Sequence, residues 1–219
     1  MKKFTLPSFL IVLMLTMVAC SNKDKKSSYS KQTNETKETK ETKEVKKIST
    51  AAFALERAKN DISFTAYKFT EKFPVKGYFK KVNITSGGEG VSVKEAIHNT
   101  EFEVPISSLH TLDKSRDYKI RKFFFDVMMN TKSLKGKFSI TDDSNGVVSL
   151  TMNGETQDIP FTYTIDERTF NMKAVMDINN WKAGKALASL NKICKDLHTG
   201  SDGVSKTWSE VALDISSTF

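Results

Sequence analysis

"FNMKAVMDI", residues 170–178, puts Phe170, Met172, Ala174, Met176 and Ile178 at every second position, with Asn171, Lys173 and Asp177 between them. Side chains alternate across a β-strand, so this spacing predicts a strand with one apolar and one wet face. The pattern extends backwards through "IPFTYTI" (159–165), where Phe161, Tyr163 and Ile165 share a face, "VVSLTM" (147–152), with Val148, Leu150 and Met152, and "GKFSIT" (136–141). The separators are "DDSNG", "NGETQD" and "DERT"; Asn145-Gly146 and Asn153-Gly154 are candidates for the positive backbone angles of tight hairpin turns. An antiparallel meander, apolar on one side, is the expectation.

Further alternating segments flank this meander. Ile62, Phe64 and Ala66 alternate, as do Thr100, Phe102 and Val104 before Pro105, and Val211, Leu213 and Ile215 near the end; "VKGYFKKVNI" leaves its inward face undecided. The count is about eight strands, a number with which a closed barrel encloses one small ligand. The fold class expected is mainly β, with one short and one longer helix. The short one holds Ile120, Phe123, Phe124 and Val127 at i, i+3, i+4 and i+7, with Asp113 or Ser115 as cap. The longer one, 182–198, carries a stripe of Ala183, Leu187, Leu190, Cys194 and Leu197, with Gly200 placed to end it.

The chain has 219 residues and a formal net charge of +8. The charge is unevenly placed: residues 49–219 hold 23 basic and 21 acidic side chains, a net of +2, which is no nucleic-acid footprint. Residues 21–48 hold nine Lys against five acids, and include "ETKETKETKEVK". Such a mixed-charge stretch with almost no apolar side chains is expected to be a disordered tether, with a mean reach of about 30 Å if it behaves as a flexible coil. Ahead of it, Lys2 and Lys3, the apolar run "FLIVLMLTMVA" and Cys20 have the layout of a secretory signal. "MVAC" followed by Ser21 resembles the lipobox of bacterial lipoproteins, which implies a signal peptide of residues 1–19, cleavage before Cys20 and acylation of that residue. Residues 20–48 would then tether a domain of residues 49–219 to a membrane. Cys194 is left without a partner cysteine, so no internal disulfide is expected.

The segments "FALERAKNDISFTAY" (53–67), "VKGYF" (75–79), "SSLHTLDKSRDYKIRKFFFDVM" (107–128) and "SLTMNGETQDIPFTYTI" (149–165) together resemble the YceI family. The resemblance covers roughly residues 53–215 and is most specific in the Arg116-Asp117 segment that ends in Phe-Phe-Asp. Lys119 stands where the family usually has His, and Ile178 where an Arg is often found. What the resemblance implies is a lipocalin-like antiparallel barrel that holds a long-chain isoprenoid lipid, of quinone or polyprenyl type, in an exported bacterial protein without a cofactor. With the lipobox it implies a place in the cell envelope, on the outer membrane facing the periplasm.

An apolar barrel interior suits a hydrocarbon chain, and the candidate lining is Phe64, Phe79, Phe102, Phe138, Phe161, Tyr163, Met172 and Met176. Phe123 and Phe124 should cover the barrel, and Phe125, which fits neither the helix stripe nor the charged face, is the candidate lip of the entrance. Ordinary core packing competes for each of them. Arg116 and Asp117 could fix a polar head at the mouth, although a structural ion pair or a cap at the helix start is favoured for that solvated face. An enzyme reading rests on Cys194 and His198, four apart on one helix face and compatible with thiol or metal chemistry. An inert buried thiol is the simpler account, because Cys194 shares its stripe with Leu187, Leu190 and Leu197 and a reaction needs more than these two groups. His98 and His110 are isolated, and "TSGGEG" lacks the Lys-Ser of a phosphate loop. A third class is an envelope interaction module with a solid barrel.

Overall fold

The computed structural model describes residues 49–219. The expected signal peptide, Cys20 and the tether lie outside the described residues. From the amino-terminal side the chain forms β1 (Phe53–Ala54), β2 (Lys59–Lys68), β3 (Phe73–Phe79), β4 (Asn83–Ser86), β5 (Glu89–Gly90), α1 (Val93–Ile97), β6 (Glu101–Pro105), β7 (Leu109–His110) and α2 (Lys114–Phe123). There follow the meander β8 (Ser133–Ile140), β9 (Asn145–Met152), β10 (Glu155–Asp166) and β11 (Thr169–Asp177), then α3 (Gly184–Ile193) and β12 (Thr207–Thr218). Of the twelve strand segments among the described residues, four are only two to four residues long, and the eight longer ones match the expected number.

One antiparallel sheet carries ten of the segments in the order β4-β6-β8-β9-β10-β11-β12-β2-β3-β7. The sheet is curled in the lipocalin manner, and Glu101–His110 belongs to both of its ends. Its first half, β6, pairs with β8, and its last two residues, β7, pair with β3 after a single 3-10 turn. One continuous segment thus ties the two ends of the sheet. The remaining pair, β1 with β5, forms a separate small ladder.

Register follows the alternation. Phe161 faces Ala174 and Tyr163 faces Met172, and Phe170, Met172, Ala174 and Met176 are all buried while Lys173 and Asp177 on the other face are exposed. Ile165 departs from the expectation: next to the β10–β11 turn, paired with Phe170, it is exposed. The closely packed half of the molecule is built on β8–β11. In β2, β3 and β12 the inward residues Ile62, Phe64, Ala66, Val75, Val211, Leu213 and Ile215 are only half-buried. That wall faces an unfilled interior.

Two turn dipeptides read alike in sequence and fold differently. Asn153 and Gly154 take φ of 53° and 74°, both left-handed, as a two-residue hairpin turn needs. Asn145-Gly146 is not a turn: it starts β9, and the preceding loop is closed by the Asp142 carboxylate, which accepts from the backbone N–H of Ser144 and of Asn145, each at 2.8 Å. Gly146 serves another purpose, since a Cβ there would lie 2.2 Å from the Phe161 ring.

Among the described residues there are three α-helices where two were expected. The extra one, α1, is announced by Ser92, whose hydroxyl accepts from the Glu95 backbone N–H, while Glu95 reaches back to the N–H of Val91. This is close to a capping box, with the return contact one residue early. In α2 the cap is Asp113, whose side chain accepts from the N–H groups of Ser115 and Arg116. The helix stops at Phe123, and Phe125–Val127 continue as a 3-10 turn. Three residues per turn instead of 3.6 rephases the side chains, so Phe125 and Met128 go in and Val127, expected inside, is exposed. The predicted helix 182–198 is likewise shortened. Lys182 is left-handed at φ 55°, α3 ends before Cys194, and a separate 3-10 turn holds Asp196–His198. Thr199 and Ser205 hydroxyls both donate to the Lys195 carbonyl, which diverts the ladder there, and Leu197 ends exposed. Gly200 consequently does not end α3; its N–H donates to the Val204 carbonyl within the loop that follows.

Candidate functional site

The unfilled interior is a cavity of about 170 Å³ between the packed half and the β12-β2-β3 wall, covered by α2 and α3. Strand alternation delivers its lining: Phe64 and Ala66 from β2, Phe79 from β3, Phe102 and Val104 from β6, Phe138 from β8, Met172 and Met176 from β11, Val211, Leu213 and Ile215 from β12. Ile120, Phe124 and Phe125 come from the α2 region, and Leu187 and Leu190 from α3. The lining side chains are apolar except for Ser63, Thr207 and Trp208.

Of the candidate lining residues, Phe64, Phe79, Phe102, Phe124, Phe125, Phe138, Met172 and Met176 border this cavity. Phe123, Phe161 and Tyr163 do not. Phe123 ends α2 and packs edge-on against Tyr118 at 6.2 Å. Phe161 and Tyr163 are buried in an aromatic cluster with Phe170, and the Tyr163 hydroxyl donates to the Asp142 carbonyl. Phe125, expected at the lip, is buried and packs against Phe124 at 5.0 Å. The lining residues that sequence reasoning missed come from β2, β6, β8, β9, β10, β12 and both covering helices, and Leu187 and Leu190 were legible as a helix stripe.

Arg116 and Asp117 are not at the cavity and do not pair with each other. Arg116 lies 3.7 Å from the Asp113 carboxylate, on the solvent side. Asp117 is buried and accepts from both the backbone N–H (2.7 Å) and the hydroxyl (2.6 Å) of Thr111, with the His110 ring 3.5 Å away. The pair therefore divides its labour: one residue anchors α2 to the loop after β7, and the other helps hold the helix start. Asp117→Ala strands the buried Thr111 groups and should lower stability by about 2–3 kcal/mol in urea unfolding, whereas Asp117→Asn, which keeps an acceptor, should lose less.

At one edge of the cavity Thr207 joins a polar chain. Its hydroxyl donates to Asn191 Oδ1 at 2.8 Å, so its oxygen is left to accept from His198 Nδ1 at 2.6 Å. His198 is thereby held as the neutral Nδ1–H tautomer. Burial, then the nearby Lys68 and Arg116 cations, push its pKa from 6.5 down to about 4. The folded state therefore favours the uncharged ring. That contribution is complete above pH 6.5 and is lost as pH falls through 4. After discounting for partial exposure, roughly 1–2 kcal/mol should disappear across this window. His198→Asn, which keeps a donor at the Nδ1 position, should show a correspondingly flatter fall in melts at pH 6.5 and pH 4.

Cys194 is buried, and burial raises its thiol pKa against the weaker pull of Lys119 and Lys68. A thiol so placed is a poor nucleophile. His198 turns its Nδ1 to Thr207, and among the described residues no group of three or more His, Cys, Asp or Glu is placed to hold a metal ion.

A curled antiparallel sheet, tied at its ends and hollow on one side, defines a lipocalin-like barrel protein with an apolar interior. The chain belongs to the YceI family: the family model, described as a YceI-like domain, matches residues 53–219. No curated protein sequence matches the chain. Among solved structures, a polyisoprenoid binding domain from Saccharophagus degradans, implicated in plant cell wall breakdown, aligns with a TM-score of 0.51 and 9% identity over 72% of this chain and 91% of that one. BcnA from Burkholderia cenocepacia aligns at 0.48 and 16% identity, over 76% and 99% of the two chains. The YceI protein of Campylobacter jejuni aligns at 0.46 and 16%, over 69% and 89%. At such identities the first of these likenesses speaks for the fold.

Proposed function

We propose that this protein is a non-enzymatic carrier that sequesters the hydrocarbon tail of a long-chain isoprenoid lipid, and that an acylated Cys20 holds it on the outer membrane facing the periplasm. The observation that carries the reading is the apolar cavity behind the half-buried β12-β2-β3 wall. A fold that only needed stability would fill such a space, since unfilled volume in a core is destabilising. The family membership and the polyisoprenoid-binding description of the Saccharophagus domain support the isoprenoid class. The buried, protonated thiol of Cys194 supports a role without covalent chemistry.

Size sets a condition on the mechanism. A cavity of about 170 Å³ is comparable to engineered core cavities of ~150 Å³ that accept benzene, so a long chain must enlarge it. The cover is the part suited to give way, because α2 and α3 meet the lumen through Ile120, Phe124, Leu187 and Leu190, whereas β8–β11 are closely packed. Met172 and Met176, unbranched and adaptable, suit a wall that must fit an irregular chain.

The test is to purify the full-length protein from the membranes of the expressing cells, extract it with organic solvent and analyse the extract by mass spectrometry. A stoichiometric isoprenoid is expected, and intact-mass analysis should show acyl chains that Cys20→Ala lacks. An extract without any long-chain lipid would overturn the carrier reading in favour of a solid-barrel interaction module.

A further inference from the structure

A second, smaller void of about 60 Å³ lies beyond the main cavity and shares five wall residues with it: Ile62, Phe102, Val104, Phe138 and Ile215. These residues are the partition between the two spaces. Phe138 is fixed, being buried and packed edge-on against Phe161 at 6.0 Å, itself deep in the aromatic cluster. Phe102 is less confined. It is only partly buried, and among the described residues its one ring partner is Phe138, at 5.0 Å.

What lets Phe102 rest where it does is the residue opposite. Phe102 pairs across the sheet with Gly136, and a Cβ on Gly136 would lie 2.6 Å from the ring's Cζ. The ring therefore lies over bare backbone. Any side chain at position 136 would force it away.

We propose that Phe102, seated on Gly136, is a ring gate that sets the length of hydrocarbon chain the barrel accepts. The proposal rests on reading the cavity as a ligand site and adds to it a chain-length determinant. With the ring seated, a guest ends at the partition. When a longer chain displaces the ring, its tail gains the second void. The far void suits hydrocarbon, because its polar groups are already spent. Ser217 donates to Asn60 Oδ1 at 2.7 Å, and the Asn60 amide donates to the carbonyls of Leu55 and Ala58.

A homologous series of linear primary alcohols, titrated into the full-length protein, tests this without requiring that an isoprenoid be the natural ligand. Affinity should rise roughly 4-fold per methylene, the equivalent of about 0.8 kcal/mol, until the main cavity is filled, and then flatten. In Phe102→Ala the break should move to longer alcohols by several carbons, with the longest binding at least ten-fold tighter. Phe102→Leu, which removes the ring but keeps bulk and safeguards folding, should move it in the same direction by less. A break at the same length in all three proteins, no break at all in the unaltered one, or no binding of any alcohol would overturn the gate. A shifted break in a protein whose extract holds no isoprenoid would leave the gate standing and remove only the assignment of the natural ligand.

Discussion

Trp181→Ala should lower the stability of this domain by about 3–5 kcal/mol. Trp181 is 1% exposed, and its indole N–H donates to the Leu150 carbonyl at 2.9 Å in the packed half of the barrel. Its own carbonyl accepts from the Asn153 side chain at 2.8 Å, next to the left-handed hairpin turn. One residue therefore ties three things together: the 3-10 turn after β11, strand β9 and the β9–β10 turn. Truncation to Ala removes the ring volume and leaves the Leu150 carbonyl without its donor, so a cavity and an unmade hydrogen bond add. For a domain of this size the melting temperature should fall by roughly 10 °C or more. Trp181→Phe should recover most of the packing and forfeit the hydrogen bond, losing about 1–2 kcal/mol. Trp181 does not line the cavity. Lipid bound per folded molecule should therefore be unchanged in either variant, which separates a structural role from a binding one.

Where one physical rule governed a stretch, the sequence was legible. The strands β9, β10 and β11 alternate because one sheet face is packed and the other wet, and the burial found residue by residue follows that alternation. The cavity wall was legible for the same reason, since Phe64, Phe102 and Met172 point inward by parity alone. Parity does not say whether an inward side chain meets another side chain or a void. Phe161 and Phe64 have the same pattern in sequence and the same device in space, each lying over a glycine, Gly146 and Gly77 respectively. Only the surroundings send one into a packed cluster and the other to the lumen. Glycine itself was the ambiguous letter. Gly154 supplies a positive φ, whereas Gly146, in the same Asn-Gly dipeptide, supplies the absence of a Cβ beneath a ring. The helices were read too long, because periodicity continues past Phe123 and Ile193 while the backbone does not. At the end of α3 the Lys195 carbonyl is taken by two hydroxyls, that of Thr199 four residues on and that of Ser205 ten residues on, which apolar periodicity does not register.

A hollow interior implies opposite signs for stability and binding, and Ala66→Phe should show both. Ala66 projects from β2 into the cavity, half-buried, between Val75 on β3 and Val211 on β12. A phenyl ring at this position enters a lumen lined almost wholly by apolar side chains. Because the space is unfilled, the ring gains burial instead of displacing atoms. The domain should be stabilised by about 1 kcal/mol, raising its melting temperature by roughly 2–4 °C. The same ring occupies the volume that a guest chain would use. Excluding about four methylenes at about 0.8 kcal/mol each removes ~3 kcal/mol of binding, a loss of about two orders of magnitude in affinity. Thermal melts and alcohol titration on one preparation measure both quantities. A variant that binds as well as the parent would show that the guest lies elsewhere. A variant that both loses binding and melts lower would show that this half of the barrel is already full. More stable and unable to bind is the outcome that a cavity kept empty for a ligand requires, since filling it removes the function and strengthens the fold.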